Sequence, residues 1–232
     1  MAELTRTAQL QANLEAVEAR IAAACQAAGR PRDDVTLVAV TKTWPASDVL
    51  ILRDLGVTDV AENRDQEAAA KAMTIDDVRW HFVGAVQTNK AASVASYADV
   101  VHAVDRIRLV RALGSGAQRA GRVVRVLLQV SLDGDTGRGG ALPADVPALA
   151  DRAAAAAGLR LAGVMAVAPL GADPAAAFAS LAEVAARLRA DHPDATAVSA
   201  GMSGDLEPAV AIGATHVRVG TALLGRRPPP SR

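Results

Sequence analysis

The chain has 232 residues, 51% hydrophobic and only 2% aromatic, with 25 Lys and Arg balanced by 25 Asp and Glu. That length can bury a sizeable core, which must be built from Ala, Val, Leu and Ile, and a neutral chain without a basic stripe argues against a nucleic-acid binder. The single cysteine, Cys25, excludes an internal disulfide framework and suits a reducing compartment.

In chain order, the N-terminal stretch MAELTRTAQLQANLEA carries charges and no apolar centre, so no signal peptide is expected. No apolar run approaches the length of a membrane span, and a soluble cytoplasmic protein is the expectation. Leu10, Leu14, Val17, Ile21 and Cys25 recur at helical spacing, which predicts a helix within residues 4–29 that stops at Gly29-Arg30-Pro31. Cys25 reads as packing on its apolar face. Short apolar or β-branched runs then follow at 35–42, 59–63, 80–84, 100–105, 125–132, 161–168, 197–201 and 216–222, separated by helix-forming stretches. Near-continuous apolar runs suit parallel strands covered by helices. Eight such units in a chain of this size predict a (β/α)8 TIM barrel.

An open doubly wound sheet permits the same alternation but lacks its fingerprint. The glycines of GSGAQRAG, at 114, 116 and 121, precede a strand and read as a helix end and a turn. There is no phosphate loop of the Gly-Lys-Ser/Thr kind. The loop DGDTGRGG, 133–140, has Ala144 where an EF-hand needs an acid and reads as a mobile connection. No linker divides the chain, so residues 1–226 are expected to form one barrel domain with an N-terminal helix. The tail RPPPSR, 227–232, is expected to be disordered.

Barrels place reactive groups at the C-terminal ends of their strands. Those ends carry Lys42, Asn63, Gly84 and Asp105, with Met165 within the sixth strand and Ser199 starting the loop after the seventh. Arg218, Gly220 and Thr221 close the eighth. By alternation Lys42 shares an inward face with Val38 and Val40, and Arg218 with His216 and Gly220, leaving Val217 and Val219 to the helices. An arginine pointing into a barrel mouth is costly without a partner, which makes Arg218 a functional candidate. In SAGMSGDLEPAV, Ser203 stands before an acidic, helix-like segment in the manner of an N-cap. In VGTALLG, Gly220 and Thr221 open another turn. Two such loops after strands seven and eight point to a phosphate cradle.

Other readings of these residues fail. GMSGD lacks the last glycine of a nucleophile elbow. His81, His102, His192 and His216 show no metal spacing, His81 reads as a structural residue near a strand start, and Met165 reads equally as core filler. A phosphorylated aldehyde held by Lys42 satisfies the amine, the arginine and the cradle together. These residues alone leave a Schiff-base aldolase and a pyridoxal phosphate protein both open.

The segments AVTKTWP, AENRDQEA, WHFVGAVQTNK, LAGVMAVAP and SAGMSGDLEPAVAIGATHVRVGTALLG, with the following Arg227, resemble the YggS/PROSC family of pyridoxal phosphate homeostasis proteins, from about residue 10 to 227. The resemblance implies a barrel similar to the N-terminal domain of alanine racemase, without that enzyme's second, β-rich domain. It implies pyridoxal 5'-phosphate held as an aldimine on Lys42, with Ser203, Gly220 and Thr221 at the phosphate and Met202 and Ser199 nearby. Arg218 would meet the pyridine nitrogen, Asn63 would line the ring site, and Met165 would pack against the cofactor. Many pyridoxal phosphate enzymes place a carboxylate at that nitrogen to keep the ring an electron sink, and a guanidinium opposes this. The implied role is a cofactor carrier and regulator, with no catalytic or metal-ligating residue assigned. Ala61 and Arg64 stand where the family commonly has Gly and Tyr, and Ala85 where it usually has His, so loop contacts there are expected to differ.

The alternative is an amino-acid racemase or other Schiff-base enzyme of low activity. Racemisation needs proton donors on both faces of the substrate, and the lone tyrosine, Tyr97, falls on a helix between the third and fourth strands. A third reading is a barrel that has lost its chemistry and only binds a partner. Pyridoxal phosphate, the apoenzymes that use it, and a monomeric state complete the expectation.

Overall fold

The computed structural model describes residues 5–135, 137 and 139–226; Arg227 and the expected tail lie outside the described residues. Eight parallel strands close into a barrel in sequence order, β1 (Thr36–Val40), β2 (Asp59–Glu62), β3 (Arg79–Phe82), β4 (Val100–Val104), β5 (Val124–Gln129), β6 (Leu159–Met165), β7 (Ala197–Ser199) and β8 (His216–Val219). Strand β8 pairs with β1, so no edge is left open. The helices are α1 (Arg6–Ala27), α2 (Ala46–Asp54), α3 (Asp65–Ala72), α4 (Ala91–Tyr97), α5 (Ile107–Arg119), α6 (Val146–Ala154), α7 (Pro174–Asp191), α8 (Leu206–Ala211) and α9 (Thr221–Leu224).

Local chemistry sets the helix ends. Thr5 caps α1 by accepting the Ala8 N–H, and Gly29, at φ 65°, turns the chain before Pro31. Asp173 caps α7 by accepting from Ala175 and Ala176, with Pro174 in the first turn. On the predicted face of α1, Leu10, Val17, Ile21 and Cys25 are buried and Leu14 partly so; they join Leu37, Val49, Val217 and Leu223 in the layer between strands and helices. Burying each large aliphatic side chain there contributes about 1.5–3 kcal/mol.

Two corrections concern boundaries. The apolar runs overshoot the strands, because residues just past the strand ends stay packed, several of them still donating a backbone N–H to the neighbouring strand, as Thr41 does to Ala61 and Ala166 to Ser199. Lys42 therefore lies in the turn after β1, while Met165 and Ser199 are the last residues of β6 and β7. Gly114 and Gly116 lie inside α5 rather than at its end. A Cβ on Gly116 would sit 2.8 Å from the Ala92 Cα, so the missing side chain is what lets α4 and α5 approach.

The tightest approach in the barrel wall is at Gly163 of β6, where φ is 153° and a Cβ would meet the Ala197 carbonyl oxygen at 1.8 Å. Gly163→Ala should cost about 3 kcal/mol or more. Thermal unfolding would register that as a fall in Tm of roughly 6–12 °C.

Alternation holds in β1 and β8, where Leu37, Ala39, Val217 and Val219 face the helices. Strands β4 and β6 carry register shifts, so Val100 and Ala103, and Ala162 and Met165, each pair three apart, pack together within the interior with Leu127 and Ala197. The alanines leave room that polar side chains fill.

Candidate functional site

The sequence-predicted residues gather at the C-terminal end of the barrel. Strand β1 delivers Lys42 in a turn closed by the Trp44 N–H donating to the Thr41 carbonyl. On the neighbouring β8, Arg218 stands opposite Val38 in register, so Lys42 and Arg218 rise from adjacent strands. Asn63 follows β2 directly, and its Oδ1 is buried with no hydrogen-bond partner among the described residues. Met165 is buried with Leu127 and Ala197.

The loops after β7 and β8 meet differently from the expectation. Ser203 does not cap α8, whose N-cap is Asp205; its hydroxyl oxygen instead accepts the Ala222 N–H of α9 at 3.2 Å. The long-range contact won over the local one because β7 and β8 are neighbours and their loops leave the barrel side by side. Gly220 is the N-cap of α9, and Thr221, its first residue, is exposed. Met202 is also exposed, its N–H tied to Asp205 at 2.6 Å.

Arg218 is almost fully buried. It donates from Nη1 to Ser199 Oγ at 2.5 Å and from Nη2 to the Ala166 carbonyl at 2.9 Å. Burial pulls its pKa down to about 10, with Asp205 opposing, and it stays a cation at neutral pH.

Ser199 continues into a buried chain. His102 Nδ1 lies 3.0 Å from Ser199 Oγ, His102 Nε2 2.7 Å from His81 Nδ1, and His81 Nε2 2.8 Å from Asp59 Oδ1. Burial opposes the charge on Asp59, but the bonds from His81 and Thr58 and the Arg79 guanidinium outweigh it and hold the carboxyl at about 2. Burial pushes the pKa of His81 down despite Asp59, and that of His102 well down, with His81 and Arg218 adding to the effect. His216, whose ring centroid lies 6.1 Å from that of His81, falls to about 3 through burial and the nearby His81 and Arg125. Neutral rings between an acceptor-only carboxylate and a donor-only guanidinium allow one direction of donation. Arg218 donates to Ser199, Ser199 to His102, His102 to His81, and His81 to Asp59.

Asp59, His81 and His102 were not expected as site-related residues, and His81 sits within β3 rather than near its start. The alternation that selected Arg218 also turns these side chains inward, and was the available signal.

Two clefts open on this face. One of about 620 Å3 between the loops after β5, β6 and β7 is lined by residues including Gln129, Val167, Met202 and Asp205. The other, about 390 Å3, is lined by residues including Asn63, Arg64, Phe82 and Ala85. Arg64 and Ala85, two of the departures from the family pattern, thus share one cleft. Lys42 lines neither.

Residues 12–228 match the family model described as alanine racemase, N-terminal domain. A protein of Mycobacterium tuberculosis named pyridoxal phosphate homeostasis protein is 44% identical, over 96% of this chain and 94% of that one. A protein of the same name from Pseudomonas aeruginosa is 40% identical, over 93% and 94%. Among solved structures, PipY of Synechococcus elongatus with PLP bound superposes with a TM-score of 0.82 at 34% identity, covering 94% of this chain and all of that one. Alanine racemase of Clostridium difficile shares the fold alone, with a TM-score of 0.74 at 13% identity over 96% of this chain and 58% of the enzyme.

Proposed function

The chain belongs to the family of pyridoxal phosphate homeostasis proteins, and from that premise we propose that its barrel mouth binds pyridoxal 5'-phosphate with the Lys42 amine as the point of attachment. The protein holds the cofactor for intracellular balance and delivers it to apoenzymes that need it, as a cytoplasmic monomer. The carrying observation is the buried guanidinium of Arg218, held by Ser199 on the strand next to the one that presents Lys42.

The residues present suit the group. Asn63 offers a buried oxygen that has no partner among the described residues. Ser203 offers a hydroxyl beside the first turn of α9, with Gly220 and Thr221 next to it, for the phosphate. Met202, exposed at the rim, and Met165, buried in the barrel, would offer apolar surface to the group. Pyridoxal phosphate supplies an aldehyde that condenses with an amine, releasing water, and a ring that withdraws electrons when its nitrogen is protonated. Arg218, which stays a cation at neutral pH, would oppose protonation of that nitrogen and so leave the ring a poor electron sink. Tyr97 lies on α4 and donates its hydroxyl to Asp65 on α3 at 3.4 Å. Burial, with Asp65 beside it, raises the phenol far above its ordinary range, so it is a poor second acid for racemisation.

Adding pyridoxal phosphate to the purified protein should give a visible absorption band. Borohydride reduction and peptide mass mapping should place the adduct on Lys42, and amino-acid enantiomers should not interconvert. No band, or adducts scattered over surface lysines, would remove the binding reading. Robust racemisation lost in Tyr97→Phe would replace the carrier with an enzyme.

A further inference from the structure

The turn that presents Lys42 has an unusual backbone. Thr43 has a φ of 68°, one of two non-glycine residues with positive φ among those described. With the Trp44 N–H donating to the Thr41 carbonyl, residues 41–44 form a turn of the type II pattern, with Lys42 and Thr43 at its centre. That pattern calls for glycine or asparagine at the Thr43 position, and a β-branched residue there is held by its surroundings.

The surroundings are a buried ion network outside the barrel wall. Lys71 of α3 spends its three N–H bonds on the Thr41 carbonyl at 3.1 Å, Glu62 Oε1 at 2.7 Å and Glu67 Oε1 at 2.8 Å. The Thr41 hydroxyl donates to the same Glu62 oxygen at 2.7 Å. Glu67 Oε1 accepts the Thr43 N–H at 2.7 Å. Both neighbours of Lys42 are therefore tied to one ion cluster, by the carbonyl and hydroxyl on one side and the amide on the other. The Thr43 N–H belongs to the Lys42–Thr43 peptide, whose orientation distinguishes a type II turn from a type I turn. Fixing that amide fixes the direction in which the Lys42 side chain leaves the strand.

We infer that Glu67, with Lys71 and Glu62, is a positioning device that locks the Lys42 turn for attachment of the pyridoxal aldehyde. The inference rests on the reading of Lys42 given above. Glu62 and Lys71 are buried in the network, whereas the Glu67 side chain is 24% exposed, so Glu67 can be changed with the least risk to folding.

Three proteins separate the possibilities: wild type, Glu67→Ala, and Glu67→Gln, which keeps an oxygen acceptor for the Thr43 amide. The readouts are the rate at which pyridoxal phosphate forms a borohydride-reducible bond on Lys42, hydrogen exchange at the Thr43 amide, and Tm. Glu67→Ala should slow attachment and speed Thr43 exchange by roughly tenfold each, the effect of losing a hydrogen bond to a charged group. Glu67→Gln should stay within about threefold of wild type in both. Thr43→Gly in the Glu67→Ala background should recover part of the attachment rate, since glycine accepts the positive φ freely. Attachment at the wild-type rate in Glu67→Ala would overturn the inference, as would an equal defect in both Glu67 variants. If wild type itself forms no bond on Lys42, the cofactor reading falls and the positioning role falls with it, whereas exchange at Thr43 still reports whether Glu67 locks the turn.

Discussion

Lys42→Ala should abolish the borohydride-reducible adduct and weaken pyridoxal phosphate binding by about 100-fold, which corresponds to roughly 2.7 kcal/mol. The loss is large because the amine supplies the only covalent link in the proposed site. It is not total, because the hydroxyl of Ser203, the oxygen of Asn63 and the guanidinium of Arg218 remain. Lys42 lies in a half-buried turn outside the ladder, so stability should change by no more than about 0.5 kcal/mol, or roughly 2 °C in Tm. An equilibrium titration followed by absorbance and by a shift in Tm checks both halves. A variant that still shows the reducible band would move the attachment point elsewhere.

Acid should destabilise the fold steeply, and the buried imidazoles are the cause. His81, His102 and His216 all have native pKa values below 6.5, with His216 at about 3. Below pH 6.5 the unfolded chain takes up protons that the native barrel refuses, so stability is fully present above 6.5 and falls as pH drops. A ring that stays neutral in the native barrel while the unfolded chain protonates contributes about 1.4 kcal/mol per pH unit; His216, at about 3, does so over most of the range below 6.5, and His81 and His102 add in the same direction. Asp59, held at about 2, adds to the loss below pH 4. Glu62 acts in the opposite sense with a single proton, since burial raises its pKa against the pull of Lys71 and Thr41. Urea unfolding at half-unit steps between pH 7 and 5 measures the slope. His102→Leu should cost about 2–4 kcal/mol at pH 7 by stranding the His81 and Ser199 groups, and make the pH profile shallower. A flat profile in wild type would mean that the rings take up protons in the native barrel as readily as in the unfolded chain.

The buried hydrogen-bond chain from Asp59 to Arg218 and the ion network around Lys71 join residues far apart in the sequence. Glu67 and Lys71 stand four apart on a helix, a pairing open to inspection in the sequence. Their joint grip on Thr41 and Thr43 was not open, because it needs β1 and α3 packed together. Ser203 before an acidic segment looked like an N-cap, and its hydroxyl serves a different helix.

The sequence by itself determined the barrel, its eight strands, the faces of β1 and β8, and the set of polar residues at its mouth. Each depends on periodicity, capping or alternation within a short window, where local sterics and apolar patterning decide the outcome. Only the tertiary structure decided how Arg218 is held. The links from Asp59 to His81, His81 to His102, His102 to Ser199 and Ser199 to Arg218 span 22, 21, 97 and 19 residues. Closing the barrel sets the registers that bring these side chains together. Hydrogen bonds act over about 3 Å, and no pattern along the chain encodes proximity across it at that scale.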